Sequence, residues 1–358
     1  MHLSRLRLRD FRNYGRLDVA FGPGFHLLLG ENAQGKTNLL EAIYLVATLR
    51  SFRSATGPQM VRHGQKGYFI GANVVGQGER AIRMYWAPQE RKVTLDERSI
   101  RKLSDYFGVL RAVVFCAEDL QLVKGAAARR RRFLDLLLAQ SGPGYLPLLQ
   151  RYSLALRSRN MLLKRRGADP AALESFTQEL IPLGNRLMEF RRKLVPRLSA
   201  LTRLAYRRIA GGREELRIEY EPSARRDFAL DLAQSRAREL VYRSTVVGPH
   251  RDDIELLIDD QAAAQFASEG QKRSIAIALK LAQAEYVTGM HGAPPVLLID
   301  DVMGELDASR RKAFLPLLQT LPPGRGQVFM TVTQENWPRD LGVEITRWQV
   351  DGGTLRRL

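Results

Sequence analysis

Cysteine is almost missing from this chain: Cys116 stands alone among 358 residues, so no internal disulfide can form and a reducing compartment is the natural setting. No apolar stretch approaches the ~18 residues needed to cross a bilayer. The opening, Met1-His2-Leu3-Ser4-Arg5-Leu6-Arg7, alternates at once and lacks the apolar segment of a secretion signal, so a cytoplasmic protein without a membrane partner is expected. Acidic residues are also scarce relative to basic ones, 38 against 56, which leaves a formal charge of +18. An excess of that size favours a polyanionic partner, either nucleic acid or an anionic surface. Internal repeats and low-complexity tails are lacking too, which argues against a solenoid or a disordered chain.

What is present is enough hydrophobic sequence, 45%, for a sizeable core and two domains. The positive charge is unevenly placed. Residues 121–240 hold 25 Lys and Arg against 12 Asp and Glu, a net +13, and that third of the chain is the expected polyanion surface. Strand-like alternation or apolar runs occur at Leu6 to Leu8, Leu17 to Phe21, Phe25 to Leu29, Tyr68 to Ile70, Ala81 to Trp86, Val93 to Leu95 and Ala112 to Phe115. From about Leu120 to Ala210 the pattern turns helical, broken at Gly142-Pro143-Gly144 and Gly167-Ala-Asp-Pro170. Leu173, Phe176, Leu180, Leu183, Leu187, Phe190 and Leu194 form a stripe at spacings of three and four. That stripe reads as the core of a small helical lobe, with kinks at Pro182 and Pro196. Strands return at Leu216 to Tyr220 and Ile254 to Ile258, followed by a helix from about Gly270 to Tyr286, a strand at Val296 to Ile299, a helix from about Ala308 to Leu318, and strands at Val328 to Val332 and Glu344 to Val350. The expected fold is α/β. Residues 1–120 and 241–358 would build a head with a mixed sheet and an antiparallel β-subdomain, and residues 121–240 a mostly helical, basic lobe inserted into it.

Gly30-Glu31-Asn32-Ala33-Gln34-Gly35-Lys36-Thr37 fits G-x-x-x-x-G-K-[ST] in full, directly after an apolar strand and opening a helix. Successive backbone N–H groups in such a loop can wrap a triphosphate. Lys36 should reach the β- and γ-phosphates, and the Thr37 hydroxyl is the expected Mg²⁺ ligand. ATP and Mg²⁺ are the expected cofactors. The strand Val296 to Ile299 ends in Asp300-Asp301, where Asp300 would hold the metal or its water and Asp301 would polarise the attacking water.

A third element separates the classes of phosphate-loop protein. Ser268-Glu-Gly270-Gln271 precedes an Ala-, Ile- and Leu-rich helix and resembles the ABC signature S-x-G-Q. A hydroxyl, a glycine and a helix N-terminus together make a second anion site. In ABC ATPases that site addresses the nucleotide of a partner subunit, so the resemblance implies an ATP-dependent homodimer. Gly304-Glu305-Leu306-Asp307 takes the place of the D-loop. The bland readings are a capped helix at Ser268 and a turn at Gly304.

Further segments narrow the resemblance. Arg9-Asp-Phe-Arg12-Asn13-Tyr14, the phosphate loop continuing into Thr37-Asn38-Leu-Leu-Glu41-Ala-Ile43, Ser51-Phe-Arg53, Glu118-Asp-Leu120 with Arg130-Arg-Arg-Phe-Leu-Asp135, Gly248-Pro-His-Arg-Asp-Asp253, Phe266 to Gln271 and Leu298 to Val302 with Glu305 to Asp307 together resemble the RecF family. The match is thinnest over 140–210. It implies an SMC-like ATPase head without the long coiled coil. It further implies ATP-driven dimerisation on DNA at gaps and duplex junctions, cooperation with RecR and RecO, help in loading RecA, and slow, DNA-stimulated hydrolysis that serves release. Carried over by residue, nucleotide contacts fall on Gly30 to Thr37, with Arg12 and Asn13 on the adenine side. Ser268, Gly270 and Gln271 are the contacts made across the dimer, and Lys36, Asp301 and Ser268 form the catalytic set.

Three positions depart from related ATPases: Asp301 stands where many carry Glu, Gly304 where relatives have Ser, and Thr333-Gln334 where transporter ATPases place a switch His. Gln59 is the candidate for the Q-loop. DNA is expected to be met through its backbone, by Arg129, Arg130, Arg131 and Arg132, Lys164 to Arg166, and Arg191, Arg192 and Lys193. The alternative reading is an ATPase subunit of an ABC transporter, which would need a membrane partner and would have no use for the basic lobe.

Overall fold

The segments Ala112-Val-Val-Phe115 and Val296-Leu-Leu-Ile299 are buried at every residue, a pattern that suits strands of a parallel sheet covered on both faces. A computed structural model, describing residues 1–165, 169–212, 214–305, 310–314, 326–333 and 344–358, places them side by side. In chain order the strands are β1 (His2–Phe11), β2 (Tyr14–Ala20), β3 (Gly24–Leu29), β4 (Tyr68–Val75), β5 (Glu79–Ala87), β6 (Glu90–Leu95), β7 (Arg98–Ser99), β8 (Ala112–Phe115), β9 (Leu216–Glu221), β10 (Asp253–Ile258), β11 (Gln261–Ala262), β12 (Val296–Ile299), β13 (Gln327–Val332), β14 (Ile345–Asp351) and β15 (Thr354–Arg357). The helices are α1 (Lys36–Thr48), α2 (Gly57–Met60), α3 (Gln121–Lys124), α4 (Ala127–Ser141), α5 (Tyr145–Lys164), α6 (Pro170–Ala210), α7 (Phe228–Gln234), α8 (Arg236–Tyr242), α9 (Ala263–Phe266) and α10 (Glu269–His291).

The central sheet runs β15-β14-β3-β13-β12-β8, parallel except for the edge hairpin β14–β15. Strands from the two ends of the chain therefore interleave, as the alternation of strands and helices at both ends predicts. A second sheet, β2-β1-β4-β5-β6-β7, is wholly antiparallel, and β11-β10-β9 forms a third.

Side chains alternate across a strand, so β3 feeds two cores. Leu27 joins Leu297 and Met330 on the face covered by α4, α5, α6 and α10, where Leu134, Tyr152, Leu187 and Leu279 pack. Leu28 joins Leu298 and Phe329 on the other face, with Leu40 and Ile43 of α1 and Leu6, Ile70 and Ile82 of the antiparallel sheet. The helical insertion thus shares a continuous core with one face of the central sheet.

The helix breaks fall where the glycine and proline clusters predict: α4 ends at Ser141, α5 begins at Tyr145, and α6 begins at Pro170 behind Asp169, which accepts a capping hydrogen bond from Ala171 N–H. The predicted stripe lies within the 41-residue helix α6, and Leu173, Leu180, Leu183, Leu187 and Leu194 are buried. It packs against α5, α10 and β9 rather than forming a free coiled coil. Pro182 and Pro196 lie inside this helix and do not end it. Both are on its solvent face, as are Gln178 and Arg192 four residues before them, so the carbonyls freed by each proline can turn to water. Of the helix expected from about Ala308 to Leu318, residues 310–314 are helical and the rest lies outside the described residues. The edge strand β15 had no expectation in the sequence.

Candidate functional site

The carboxyl ends of β3, β12 and β13 lie together in the parallel sheet, the position where open α/β sheets hold ligands. An open cleft of about 900 Å³ sits there, lined by Asn32, Ala33, Gly35, Lys36 and Thr37, by Asp301, Thr331 and Thr333, and by Arg12, Asn13 and Asn38. Its volume is that of a typical small-molecule site. Gly35 caps α1 at φ +118°, and a Cβ there would lie 2.7 Å from Asn13 Nδ2. Glycine is required at 35 on both counts.

Lys36 folds back over the loop, its Nζ donating to Gly30 O at 2.5 Å and Glu31 O at 2.7 Å. Its side chain is buried, and desolvation lowers its pKa against the pull of the Asp301 and Asp300 carboxylates. An anion in the cleft would compensate this cation, which is held in place by two carbonyls that a phosphate could replace.

Thr37 Oγ1 donates to Asp300 Oδ1 at 2.8 Å, and Thr331 Oγ1 donates to the same oxygen at 3.1 Å. Burial pushes the Asp300 carboxyl above the ordinary carboxylate range. The two hydroxyls oppose that rise, and the charges of Asp301 and Glu118 add to it. Asp300 and Thr37 thus meet through oxygen atoms in a poorly hydrated spot, a donor set that suits a hard divalent cation. Asp301 follows with φ +53°, its N–H donating to Thr331 Oγ1 at 2.9 Å. Thr331 on β13 therefore ties the Asp300 carboxylate to the Asp301 backbone. The sequence gives no motif that singles it out.

The β1–β2 hairpin turn, Arg12-Asn13, is aimed at the phosphate loop. Asn13 Nδ2 donates to Gln34 O at 2.8 Å, and Asn13 Oδ1 accepts from Asn38 Nδ2 at 2.9 Å. Gln34 is held from the other side by Gly352 and Gly353 in the β14–β15 turn, whose N–H groups donate to Gln34 Oε1 at 2.8 Å and Gln34 O at 3.0 Å. Arg12 makes a two-pronged ion pair with Glu41 at 2.8 and 2.7 Å and reaches Gln59 O at 2.7 Å. Glu41 is fully buried and also accepts from Ser51 Oγ at 2.5 Å. The hairpin turn at Arg12, helix α1 at Glu41 and the segment after it at Ser51 are pinned at this one carboxylate. Gln59 lines the cleft with Arg53, which the sequence reading included only as part of a motif, and with Arg62 and His63, which it did not include.

The signature residues are not among those lining this cleft. Ser268 caps α10, its Oγ accepting from Gln271 N–H at 3.2 Å while Gln271 Oε1 accepts from Ser268 N–H at 2.6 Å. The capping reading of Ser268 therefore holds, and the residue is exposed, which leaves its O–H free to donate outward. Gln271 Nε2 donates to Glu214 Oε1 at 2.8 Å. Both ends of the Gln271 amide are thus engaged within the chain, and its Oε1 bond to Ser268 N–H orients that serine. The Arg310 guanidinium lies against Gly270, where a Cβ would meet Nη1 at 2.8 Å unless that flexible side chain moved aside. Glu305 closes the 3₁₀ turn Val302–Glu305. Asp307 and Gln334 lie outside the described residues, while Thr333, directly after β13, lines the cleft.

The basic candidates separate by burial, and three need correction. Arg191 is not available to a polyanion: it is 2% exposed and donates to Asp135 Oδ1 at 2.8 Å, Asp252 Oδ2 at 3.0 Å and Pro249 O at 2.6 Å. Arg130 is spent on a two-pronged pair with Asp253, both contacts at 2.7 Å, and Arg131 donates to Asp252 O at 2.6 Å. These arginines tie α4 and α6 to the Gly248 to Asp253 segment. Arg129, Arg132, Lys164, Arg192 and Lys193 are exposed, although Lys193 pairs with Glu189. Arg166 lies outside the described residues. Arg132 stands in the field of Arg50 and Arg129.

The distinction is measurable. Arg191→Ala strands the buried Asp252 carboxylate and is expected to cost about 3–5 kcal/mol, read as a fall in the denaturation midpoint. Arg192→Ala is expected to leave stability within about 0.5 kcal/mol. Equal, small effects at both positions would contradict the assignment.

A family described as the RecF/RecN/SMC N terminal domain matches residues 2–344. The DNA replication and repair protein RecF of Streptococcus uberis is 36% identical, covering 99% of this chain and 100% of that one. The chain belongs to the RecF family. The Geobacter sulfurreducens protein of the same description is 35% identical over 99% of both chains. Among solved structures, the recombination mediator protein RecF-ATP of the RecFOR pathway superposes with a TM-score of 0.91 at 29% identity, covering all of this chain and 97% of that one. A Smc head domain from Pyrococcus furiosus reaches 0.58 at 16% identity and shares the fold. The expected α/β fold with a mixed sheet, an antiparallel sheet and a helical insertion is that of RecF and SMC heads. Membership in this ATPase family implies ATP hydrolysis, and full-length likeness to repair proteins sets the transporter alternative aside. Among the described residues no helix is long and apolar enough to cross a membrane.

Proposed function

We propose that this chain is an ATP-dependent DNA-binding protein of recombinational repair, in which two copies close on DNA around two ATP molecules and slow, DNA-stimulated hydrolysis releases them. The observation that carries this reading is the separation of two anion-directed sites on one chain: the cleft at Lys36 and the outward-facing Ser268 cap, which does not line it. A chain holding its own γ-phosphate at Lys36 has no internal use for the second site, so Ser268 and Gly270 address the nucleotide of the other copy.

Within the cleft, the loop from Gly30 to Gly35 wraps the phosphates, Lys36 gives up its carbonyl partners for the β- and γ-phosphates, and the Arg12-Asn13 turn borders the nucleoside. Thr37 and Asp300 are the residues fitted to hold Mg²⁺, which when bound neutralises phosphate charge. Asp301 orients and polarises the attacking water. It is one methylene shorter than the Glu common among related ATPases, in keeping with slow turnover. Glu305 and Asp307 remain candidates for the segment crossing the interface.

DNA contact falls on the exposed arginines Arg129, Arg132 and Arg192, with Arg50 beside Arg132. Among the described residues Arg50 and Arg132 form no ion pair, which leaves their charge free for phosphates. We take residues 1–120 with 241–358 as the ATPase head, residues 121–240 as the basic lobe, and the cytoplasm as the location. RecR, through it RecO, and indirectly RecA are the partners proposed from the family, at gaps and duplex junctions.

Light scattering tests the core of this reading. A non-hydrolysable ATP analogue is expected to convert monomer to dimer, and DNA affinity should rise with it and fall steeply with salt. A chain that stays monomeric with analogue bound would overturn it.

A further inference from the structure

The capping box at Ser268 fixes that serine relative to its own helix, but something must also fix the box relative to the rest of the chain. Gln271 supplies the link, since its Nε2 donates to Glu214 Oε1 at 2.8 Å. The other carboxylate oxygen of Glu214, Oε2, accepts from the hydroxyl of Tyr206, a fully buried residue on the last turns of α6. Next to it, Glu215 N–H donates to Asp259 Oδ1 at 2.8 Å and Glu215 O accepts from Asp259 N–H at 3.0 Å, closing the end of the β9–β10 pair. Glu214 is therefore anchored by backbone on one side and by α6 on the other. Arg310, whose guanidinium lies against Gly270, also acts electrostatically on Tyr206. A continuous path, Ser268 to Gln271 to Glu214 to Tyr206, joins the exposed cap to the core of the helical insertion.

We infer that Glu214, held by Tyr206, is a positioning residue for the nucleotide bound by the partner copy: it fixes Gln271, and through it the Ser268 hydroxyl, at the angle that a γ-phosphate arriving on another chain requires. The inference rests on the composite-site reading above. A charged acceptor suits this task, because hydrogen bonds to a carboxylate are stronger and more directional than neutral ones. The same path makes the placement of α6 an input to the signature.

The defect caused by losing Glu214 must therefore fall on the partner's ATP, never on the chain's own. Glu214→Leu is expected to weaken analogue-driven dimerisation about tenfold, the usual scale for losing a hydrogen bond to a charged group. ATP affinity of the dilute monomer and the denaturation midpoint should stay near wild type. Glu214→Gln keeps an acceptor for Gln271 and is expected to restore most of the dimer. Tyr206→Phe, which keeps the buried ring, should show the same split in milder form.

Mixing locates the defect. Lys36→Met chains retain an intact signature, so a mixture of Glu214→Leu and Lys36→Met is expected to turn over more ATP than either alone. A mixture of Glu214→Leu with Ser268→Arg should not, because both lack a placed signature. The control is Lys36→Met with Ser268→Arg. If the control complements and the Glu214→Leu mixture does not, the positioning role is wrong and the composite site stands. If the control itself fails, the composite site is wrong. Loss of monomer ATP affinity or of fold in both Glu214→Gln and Tyr206→Phe would also overturn the inference.

Discussion

A Lys36→Met chain is expected to lose ATP turnover by roughly 10²–10³-fold, the scale for removing one preorganised charge from a developing anion, and to lose ATP-driven dimerisation with it. The expectation follows from where Lys36 sits. Its ammonium is buried and held over the loop by two carbonyls, and desolvation lowers its pKa. Exchanging those carbonyls for phosphate oxygens gives the ammonium a full counter-charge, an ion pair that the uncharged Met cannot form. The fold should survive, because Met fills the same volume and removes a cation whose burial is unfavourable. Nucleotide titration, dimer formation and the denaturation midpoint separate these effects. Normal ATP affinity in Lys36→Met would remove the cleft as the nucleotide site.

Asp301→Asn is expected to do the opposite to the complex: ATP binds, the dimer forms, and release from DNA nearly stops as turnover drops by about 10²–10⁴-fold, the range for losing a general base. Asn suits the position well, since residue 301 has φ +53° and Asn tolerates that conformation better than other non-glycine residues. The backbone should therefore hold, and Thr331 keeps its hydrogen bond to residue 301 N–H. A trapped dimer that dissociates on removal of ATP at the wild-type rate, or wild-type turnover, would deny Asp301 the catalytic role.

Much of the site was legible because its parts follow fixed local rules. The phosphate loop is defined by a strand, a glycine-bearing turn and a helix within twenty residues, and its elements fall within a residue of expectation: β3 ends at Leu29 and α1 starts at Lys36. The strands bearing Phe115 and Ile299 are apolar throughout, and their bounds match the sequence reading. Their adjacency was not readable, yet it brings Glu118 close enough to act electrostatically on Asp300.

The arginines show what local reading misses. The run from Arg129 to Arg132 is uniform in sequence, but helical geometry points Arg130 and Arg131 toward Asp253 and Asp252, more than 120 residues away, and leaves Arg129 and Arg132 in solvent. Arg191 follows the same logic with Asp135 and Asp252. No spacing rule links such partners, so a basic run can signal a surface while half of it serves as internal ties. Thr331, Glu214 and Tyr206 were invisible for a related reason: Thr331 and Glu214 matter through hydrogen bonds to motif residues, Tyr206 through its bond to Glu214, and none belongs to a motif itself.

The claim on which the rest depends is that each ATP is enclosed by two chains. It is tested most directly by measuring ATP turnover in an equal mixture of Lys36→Met and Ser268→Arg chains, each inactive alone. If two-fold symmetric dimers exchange freely, half are mixed and each mixed dimer holds one complete site, so recovery of roughly a quarter of wild-type turnover is expected. A mixture as inactive as its parents, under conditions where mixed dimers demonstrably form, would contradict the account.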